Sequence, residues 1–447
     1  MILDPQLESM ERSDLRRLQA ERLVEISRYC YERVPHYRHY FEAAGVKPDE
    51  ISEPSRLAGL PFTRKADLRD SYPFGMFAVP MESVVRIHAS TGTTGQPTVV
   101  GYTRADLDVF ATLCARTLAA AGARPGMVLH NAYGYGLFTG GLGFHYGGER
   151  LGLAVVPMSG GGTSRQIDLM LDFKASVLAC TPSYALTLGE ELRRRGLEPD
   201  AVPLRLAVLG AEPWTESMRA EIDQTLGVRS TNCYGLSEII GPGVACECSD
   251  ERSGSHIAED HFLAEIVEPE TGAVLPEGEI GVLVVTTLTK QALPLLRYWT
   301  GDVTSLSSEP CSCGRTFVRM SPVRGRTDDM LIVRGVNVYP TQIEAVLGQL
   351  SELTPNYRLV VSRPRTLDEL RVEVEVSEDF FQAVAADMLS DEIVEADHLL
   401  RSLRDRTAQA IKTVVGVSVG VQLLEPGAAP RSTGGKVSRV VDERRLS

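Results

Sequence analysis

The sequence predicts an α/β protein with a large N-terminal α/β domain that carries a β-rich subdomain, and a small C-terminal α+β domain. Three observations carry that expectation. The chain has 447 residues, more than one hydrophobic core usually serves. Between residues 84 and 226, short apolar runs alternate with amphipathic stretches, the pattern of strands joined by helical crossovers into a parallel sheet. Past Gly235 the runs shorten and turn residues multiply, which points to a subdomain of short strands.

The elements follow in order. Asp14 to Cys30 has Leu and Ile at helical spacing and reads as an amphipathic helix, with the aromatic stretch Tyr31 to Tyr40 packing it onto the body. Val84–Ile87, Leu153–Val156, Val177–Ala179 and Leu204–Leu209 read as strands. Ala105–Ala121, Arg165–Phe173, Ser183–Arg195 and Trp214–Leu226 read as helices. Asp260–Val267, Gly281–Thr287 and Asp302–Leu306 are the short strands of the subdomain. The polar crossing Val323–Asp329 marks a domain boundary, giving domains 1–325 and 326–447. Beyond it come strands at Met330–Val333, Arg358–Val361 and Glu369–Val376, a helix from Thr341 and a long one over His398–Val414. The Pro-, Gly- and Ser-rich tail Glu425–Lys436 reads as a loop.

Apolar content of 43% and charged content of 23% exclude disorder as the main state. The 46 basic and 59 acidic residues leave a net charge of −13. That field argues against nucleic-acid backbones and anionic membranes as partners. No stretch reads as a secretory signal or a membrane span, so the expected location is the cytoplasm. Eight cysteines in so long a chain do not suggest a disulfide framework.

Several segments can carry chemistry. Ser90-Thr91-Gly92-Thr93-Thr94-Gly95-Gln96-Pro97 follows a predicted strand, and its backbone N–H and hydroxyl groups can converge on phosphate oxygens. Its spacing is not that of a Walker A loop, and composition alone fits an ordinary loop equally. Tyr133 to Gly143 sets aromatics between glycines, either a pocket wall for a flat ligand or a tightly packed helix entry. Gly210-Ala211-Glu212-Pro213, Tyr234-Gly235-Leu236-Ser237-Glu238 and Thr300-Gly301-Asp302 each place an acidic or aromatic residue beside glycine at a strand end, where α/β folds bind ligands.

Taken in this order, these segments, with Gly325-Arg326-Thr327-Asp328-Asp329 and Gly435-Lys436, resemble the core motifs of the acyl-adenylate-forming superfamily. The strings AYGYGLFTGGLG, GAEPWT, YGLSE, GPGVA, EDHF and DDMLIVRGVNVYP resemble, more narrowly, the phenylacetate-CoA ligase family, over about residues 14 to 445. The resemblance implies an enzyme that uses ATP and Mg²⁺ to activate an aryl acid as an acyl-AMP and passes it to CoA. A carrier-protein thiol or an amine, with a substituted benzoate as acid, is the alternative outcome. It also implies a homodimer.

Residue by residue, the resemblance implies that Ser90, Thr91, Gly92, Thr93, Thr94 and Gly95 hold the β- and γ-phosphates. Ala211, Glu212, Pro213, Tyr234 and Gly235 flank the adenine, Asp302 accepts from the ribose hydroxyls, and Arg326 lies near ribose and phosphate. Glu238 helps hold Mg²⁺, Lys436 is the catalytic lysine and Asp328 the hinge. Tyr135, Gly136, Phe138 and Gly141 line the acid pocket. Two positions depart from the family pattern: Gln96 where relatives commonly have Lys, and Trp299 where many have Arg.

A cysteine cluster stands apart from this set. Cys311-Ser312-Cys313 is a short chelating knuckle, and Cys248 and His256 upstream can complete a Cys₃His tetrahedron around a structural zinc, with Cys246 competing for the place of Cys248. The remaining cysteines, Cys30, Cys114, Cys180 and Cys233, read as small buried thiols.

Overall fold

A computed structural model describes the chain except residues 91–96, 328–329, 335, 365–366, 385–387, 433–436 and 446–447, and the side chains of 337 and 445. The expectations placed on Thr91, Gly92, Thr93, Thr94, Gly95, Asp328 and Lys436 therefore lie outside the described residues.

The body is built on a nine-stranded mixed sheet. Five strands are parallel, in the spatial order Ala154–Val156, Val128–Asn131, Val177–Cys180, Leu206–Gly210 and Arg229–Leu236. Between successive strands run the helices Thr139–Leu151, Thr163–Asp172, Pro182–Arg194 and Glu216–Leu226, because parallel neighbours need a crossover. The sheet then turns antiparallel through Gly241–Cys246, Ser255–Ile257, Arg319–Met320 and Leu306–Ser307.

Here the sequence reading needs three corrections. The sheet is mixed rather than parallel, and the short strands past residue 235 do not all belong to a separate subdomain. No helix follows Leu236; the backbone N–H groups of Ile239 and Ile240 bond back to the Leu236 carbonyl, the chain reverses, and the next strand can only pair antiparallel. Only Phe262–Val267, Gly281–Thr287, Tyr298–Thr304 and Gly325–Arg326 form a sheet of their own. Nor does the run at 84–87 join the main sheet: Arg86–Ser90 pairs with Thr98–Tyr102 in a two-stranded hairpin that sets Ser90 opposite Thr98.

The first long helix, Arg12–Arg33, buries Leu15, Leu23, Ile26 and Cys30, each fully buried aliphatic side chain contributing about 1.5–3 kcal/mol. Its polar groups are anchored far along the chain. Arg12 pairs with Glu259, Gln19 Nε2 donates to the Glu259 carbonyl at 2.9 Å, and Arg22 donates to the Asp260 carbonyl.

Residues from Leu331 onward have a separate core that includes Val338, Ile343, Leu359, Val372, Leu403 and Ile411. The helices Pro340–Leu347 and His398–Val415 pack there with a four-stranded sheet, ordered Gly420–Leu424, Glu369–Val376, Leu353–Ser362 and Val440–Asp442. Asp397 caps the long helix by accepting from Leu399 N at 2.8 Å and Leu400 N at 3.0 Å. Gly416, at φ 79°, ends it.

Candidate active site and cysteine cluster

The carboxyl ends of the parallel strands carry the expected groups, which is where open α/β sheets bind ligands. Gly210 closes one strand, where a Cβ would stand 2.1 Å from the Cys233 carbonyl oxygen, so only glycine fits. Ala211 follows at φ 76°, a left-handed conformation that costs a non-glycine residue energy and is typical of functional turns. The turn aims Glu212 at the start of the helix Pro182–Arg194, and its Oε1 accepts from Ser183 N at 2.6 Å. Pro213, next in the turn, is exposed. On the neighbouring strand Gly235 is equally obligatory, since a Cβ would meet the Gly241 oxygen at 1.8 Å.

Tyr234 and Asp302 come from different sheets and meet. The Tyr234 hydroxyl donates to Asp302 Oδ2 at 2.5 Å, while Arg326 Nη1 donates to Oδ1 at 2.7 Å and its Nη2 to the Thr300 carbonyl at 3.1 Å. Thr300 Oγ1 accepts from Asp302 N at 3.0 Å. The carboxylate is 3% exposed. Burial, then the adjacent Asp302 charge, pushes the Tyr234 phenol far up, so it stays a donor.

Glu238 is 5% exposed and faces two lysines that the sequence reading passed over. Lys65, at the start of the short helix Lys65–Asp70, places Nζ 3.6 Å from Glu238 Oε1. Lys290 is 2% exposed, and its Nζ donates to the Ile239 carbonyl at 2.9 Å and the Glu238 carbonyl at 3.4 Å. It lies 4.5 Å from the centre of the Tyr102 ring, and burial pulls its pKa down to about 8. Neither lysine sits in a glycine-rich or otherwise distinctive string, so no local signal marks them. Ser90 Oγ is buried and has no hydrogen-bond partner among the described residues.

The glycine–aromatic segment leaves the strand that ends at Asn131, another residue the sequence did not flag. Asn131 Nδ2 donates to the Tyr135 hydroxyl at 2.7 Å and to the Gly141 carbonyl at 2.8 Å. The Tyr135 hydroxyl also lies 3.3 Å from His145 Nδ1, and His145 Nε2 is 3.2 Å from Glu149. Gly141 lets the helix Thr139–Leu151 touch the preceding turn, for a Cβ there would lie 2.4 Å from the Gly134 oxygen. Gly136 is exposed, and Phe138 packs against Tyr133 with ring centres 6.1 Å apart. The hairpin joins this segment through His88 Nδ1 and Ala89 N, both on the Leu137 carbonyl at 2.9 and 3.2 Å. Trp299 lies beneath the guanidinium of Arg64, 4.4 Å from its ring centre.

Cys248, His256, Cys311 and Cys313 form one group whose ligand atoms all lie within 4.8 Å of one another. Cys248 Sγ is 3.6 Å from Cys311 Sγ, and Cys313 Sγ is 3.5 Å from His256 Nε2. Four ligands about 2.0–2.3 Å from a tetrahedral Zn²⁺ are separated by edges of about that length. His256 Nδ1 is turned to the Phe317 carbonyl at 3.2 Å, the outer hydrogen bond that orients a metal-binding imidazole. The hydrogen bond with Cys313, ahead of that with His256, holds the Cys248 thiol far below its usual range, while Cys313 is pushed up by Cys248. Cys246 is not part of the group: it ends its strand, paired with Cys233 on one side and His256 on the other. The four lone cysteines are all buried.

The model of the AMP-binding enzyme family matches residues 41–289, and that of the AMP-binding enzyme C-terminal domain matches residues 335–444. The phenylacetate-coenzyme A ligase of Thermus thermophilus is 62% identical over 445 residues, the whole of both chains. Its namesake in Aromatoleum evansii is 49% identical over 99% of this chain and 97% of that one. Among solved structures, 2-hydroxyisobutyryl-CoA ligase in the postadenylation state, in complex with 2-HIB-AMP, is 29% identical and superposes with a TM-score of 0.89. The alignment covers 99% of this chain and 92% of that one. The same protein with 2-HIB-AMP and CoA in the thioesterification state, over the same coverage, gives 0.71.

Proposed function

Because the chain belongs to the phenylacetate-coenzyme A ligase family of the AMP-binding enzymes, we propose the following course for that family's reaction. An aryl carboxylic acid is activated by ATP as its acyl-AMP and is then transferred to CoA. Full-length identity of 62% carries this reading and disfavours a carrier protein or an amine as the acceptor.

In the first half-reaction a carboxylate oxygen of the acid bonds to the α-phosphorus of ATP, the bridge to the β-phosphate breaks, and pyrophosphate departs with the electron pair. Anion meets anion, so the site must offer fixed donors and cations. Ser90 with residues 91–95 cradles the leaving phosphates, and the buried Ser90 hydroxyl, without a partner among the described residues, supports a ligand there. Ala211, Glu212, Pro213, Tyr234 and Gly235 hold the adenine. Asp302, a buried carboxylate where the two sheets meet, accepts from the ribose hydroxyls, and Arg326 adds charge near ribose and phosphate. Gln96 leaves the phosphate loop one cation short; Lys65, already at the Glu238 carboxylate, supplies it. Glu238, almost fully buried, would help hold Mg²⁺. The metal's contribution is to neutralise triphosphate charge. Tyr135 with Gly136, Phe138 and Gly141 forms the acid pocket, the ring offering a face to a flat acid.

Domains 1–325 and 326–447 move about Asp328. In one arrangement the small domain brings Lys436 to the phosphates. In the other, Lys436 withdraws while the CoA thiol attacks the acyl carbon and AMP leaves. The superposition that favours the postadenylation state over the thioesterification state supports the first arrangement here. The Cys₃His group holds a structural Zn²⁺, supported by its spacing; four protein ligands leave no open position for catalysis. Eight free cysteines support a reducing compartment, the cytoplasm, and the family implies a homodimer. Among the described residues no helix is long and apolar enough to cross a membrane.

Pyrophosphate exchange over a panel of aryl acids, followed by chromatography for the CoA thioester, tests the reading. Acid-dependent exchange and a thioester are expected. Exchange without CoA transfer would restore the alternative acceptor.

A further inference from the structure

Arg431, on the loop that follows the strand Gly420–Leu424, stands five residues before Lys436 in sequence, and its guanidinium is shared between the two domains. Nη1 and Nη2 form a two-pronged pair with Glu375 of the small domain at 2.8 and 2.6 Å, and Nε donates to Glu190 Oε2 of the large domain at 2.9 Å. Glu375 is 2% exposed and also accepts from Ala429 N at 3.1 Å, so the root of the loop is pinned to its own sheet. Glu190 receives a second donor from the small domain, Asn356 Nδ2 at 3.2 Å on Oε1. Both carboxylate oxygens of one large-domain side chain are thus taken by the small domain. Glu190 lies on the helix Pro182–Arg194, and the adjacent helix Glu216–Leu226 makes the second contact. There Gly348 comes so close that a Cβ would lie 2.1 Å from Ser217 Oγ and 2.9 Å from Ser217 Cβ. Gly348 has φ −66°, open to any residue; what demands glycine is the approach of the other domain.

We infer that Glu190, Arg431 and Gly348 are positioning residues for adenylation: they dock the small domain on the 182–194 and 216–226 helices and so hold the Lys436 loop for the first half-reaction. The inference rests on the two-arrangement reading above. None of the three touches the candidate substrate groups, and each acts through the loop or the domain that carries it. The contact is polar, part-exposed and small, which suits an interface that must form and release in each cycle.

The test measures the two half-reactions separately in full-length Glu190→Gln, Gly348→Ala and Gly348→Ala with Ser217→Gly. Pyrophosphate exchange reads the first half-reaction, and thioester formation from supplied acyl-AMP reads the second. Glu190→Gln should slow exchange by roughly fivefold, the scale of one part-exposed ion pair. Gly348→Ala, which drives a carbon into Ser217, should slow it by roughly tenfold or more. Thioester formation should hold or rise in both. Ser217→Gly should restore exchange in the Gly348→Ala background, a rescue that a simple folding defect does not give. Small-angle scattering should show the population leaving the docked arrangement in step with the loss of exchange. Unchanged exchange, or equal loss in both half-reactions without rescue, overturns the inference. Asp328→Pro, measured alongside, separates the causes. If it splits the half-reactions and the docking variants do not, only the docking residues are misassigned. If it fails to split them, the two-arrangement reading falls and takes this inference with it.

Discussion

Removing one ligand from the cysteine cluster gives a prediction whose size can be worked out. Cys313→Ala leaves three ligands, which lowers affinity for Zn²⁺ enough to empty the site at ordinary free zinc. A ligand that saturates the native state a thousandfold stabilises it by about 4 kcal/mol, and that is what emptying the site removes. Unfolding entropy is about 2.1 cal/mol/K per residue. Over the 447 residues the sum is about 0.9 kcal/mol/K, so Tm should fall by about 4 °C. If the larger domain melts alone, the fall is about 6 °C. The ligands come from the antiparallel half of the main sheet and its loops, away from the parallel strand ends that carry Asn131 and Glu212. Turnover per folded molecule at 25 °C should therefore be nearly unchanged. Calorimetry with metal analysis and pyrophosphate exchange makes the comparison, with a chelator as internal control: it should lower Tm of the parent and leave the variant where it is. Parent protein purified without chelators and containing no zinc refutes the assignment, as does a variant that melts with the parent.

Three further outcomes are expected. Lys436→Ala should slow acyl-AMP formation by about a hundredfold while thioester formation from supplied acyl-AMP stays near normal, and Asp328→Pro should do the reverse; equal loss of both steps in both variants would count against domain alternation. If the acid meets the Tyr135 face as proposed, phenylacetate or a simple benzoate should be adenylated far better than octanoate, and a preference for octanoate or longer shows the pocket misread. Lys65→Met should slow exchange by about tenfold to a hundredfold, with partial recovery on adding Gln96→Lys; exchange at the parent rate removes Lys65 from the phosphate site.

What the sequence made legible follows from the range of the forces involved. The helices Arg104–Ala121 and His398–Val415 and the strands Gly281–Thr287 and Glu369–Val376 were readable within a residue or two, since periodicity and caps are local signals. Strand partnership was not. Leu306–Ser307 lies on the main sheet and Tyr298–Thr304 on the small one, a division that no change in composition announces. The meeting of Tyr234 with Asp302 was foreshadowed only by motif order, as the two are 68 residues apart. Lys65, Lys290 and Asn131 were invisible because a lone lysine or asparagine reads the same on any surface; burial and a facing carboxylate or carbonyl distinguish them. The sequence already put Cys248 ahead of Cys246 as the third thiol, and the structure groups Cys248 with the others because Cys246 is still paired within its strand.

The anchoring of the first long helix has a consequence for how the chain must be born. Arg12, Gln19 and Arg22 find their partners at Glu259 and Asp260, some 240 residues later. At a ribosomal pace of about 5–20 residues per second, the helix waits roughly 12 to 50 s before its seat exists. Through that interval Leu23, Ile26 and Cys30 have only nearby residues such as Val34, Tyr37, Phe41, Ile51 and Leu57 to pack against, while the later members of their core cluster, Ile257 to Met320, are still unmade. The strands that finish the main sheet, Leu306–Ser307 and Arg319–Met320, emerge later still. A release stalled before residue 259 should therefore leave that part of the core open and yield aggregate rather than a folded fragment.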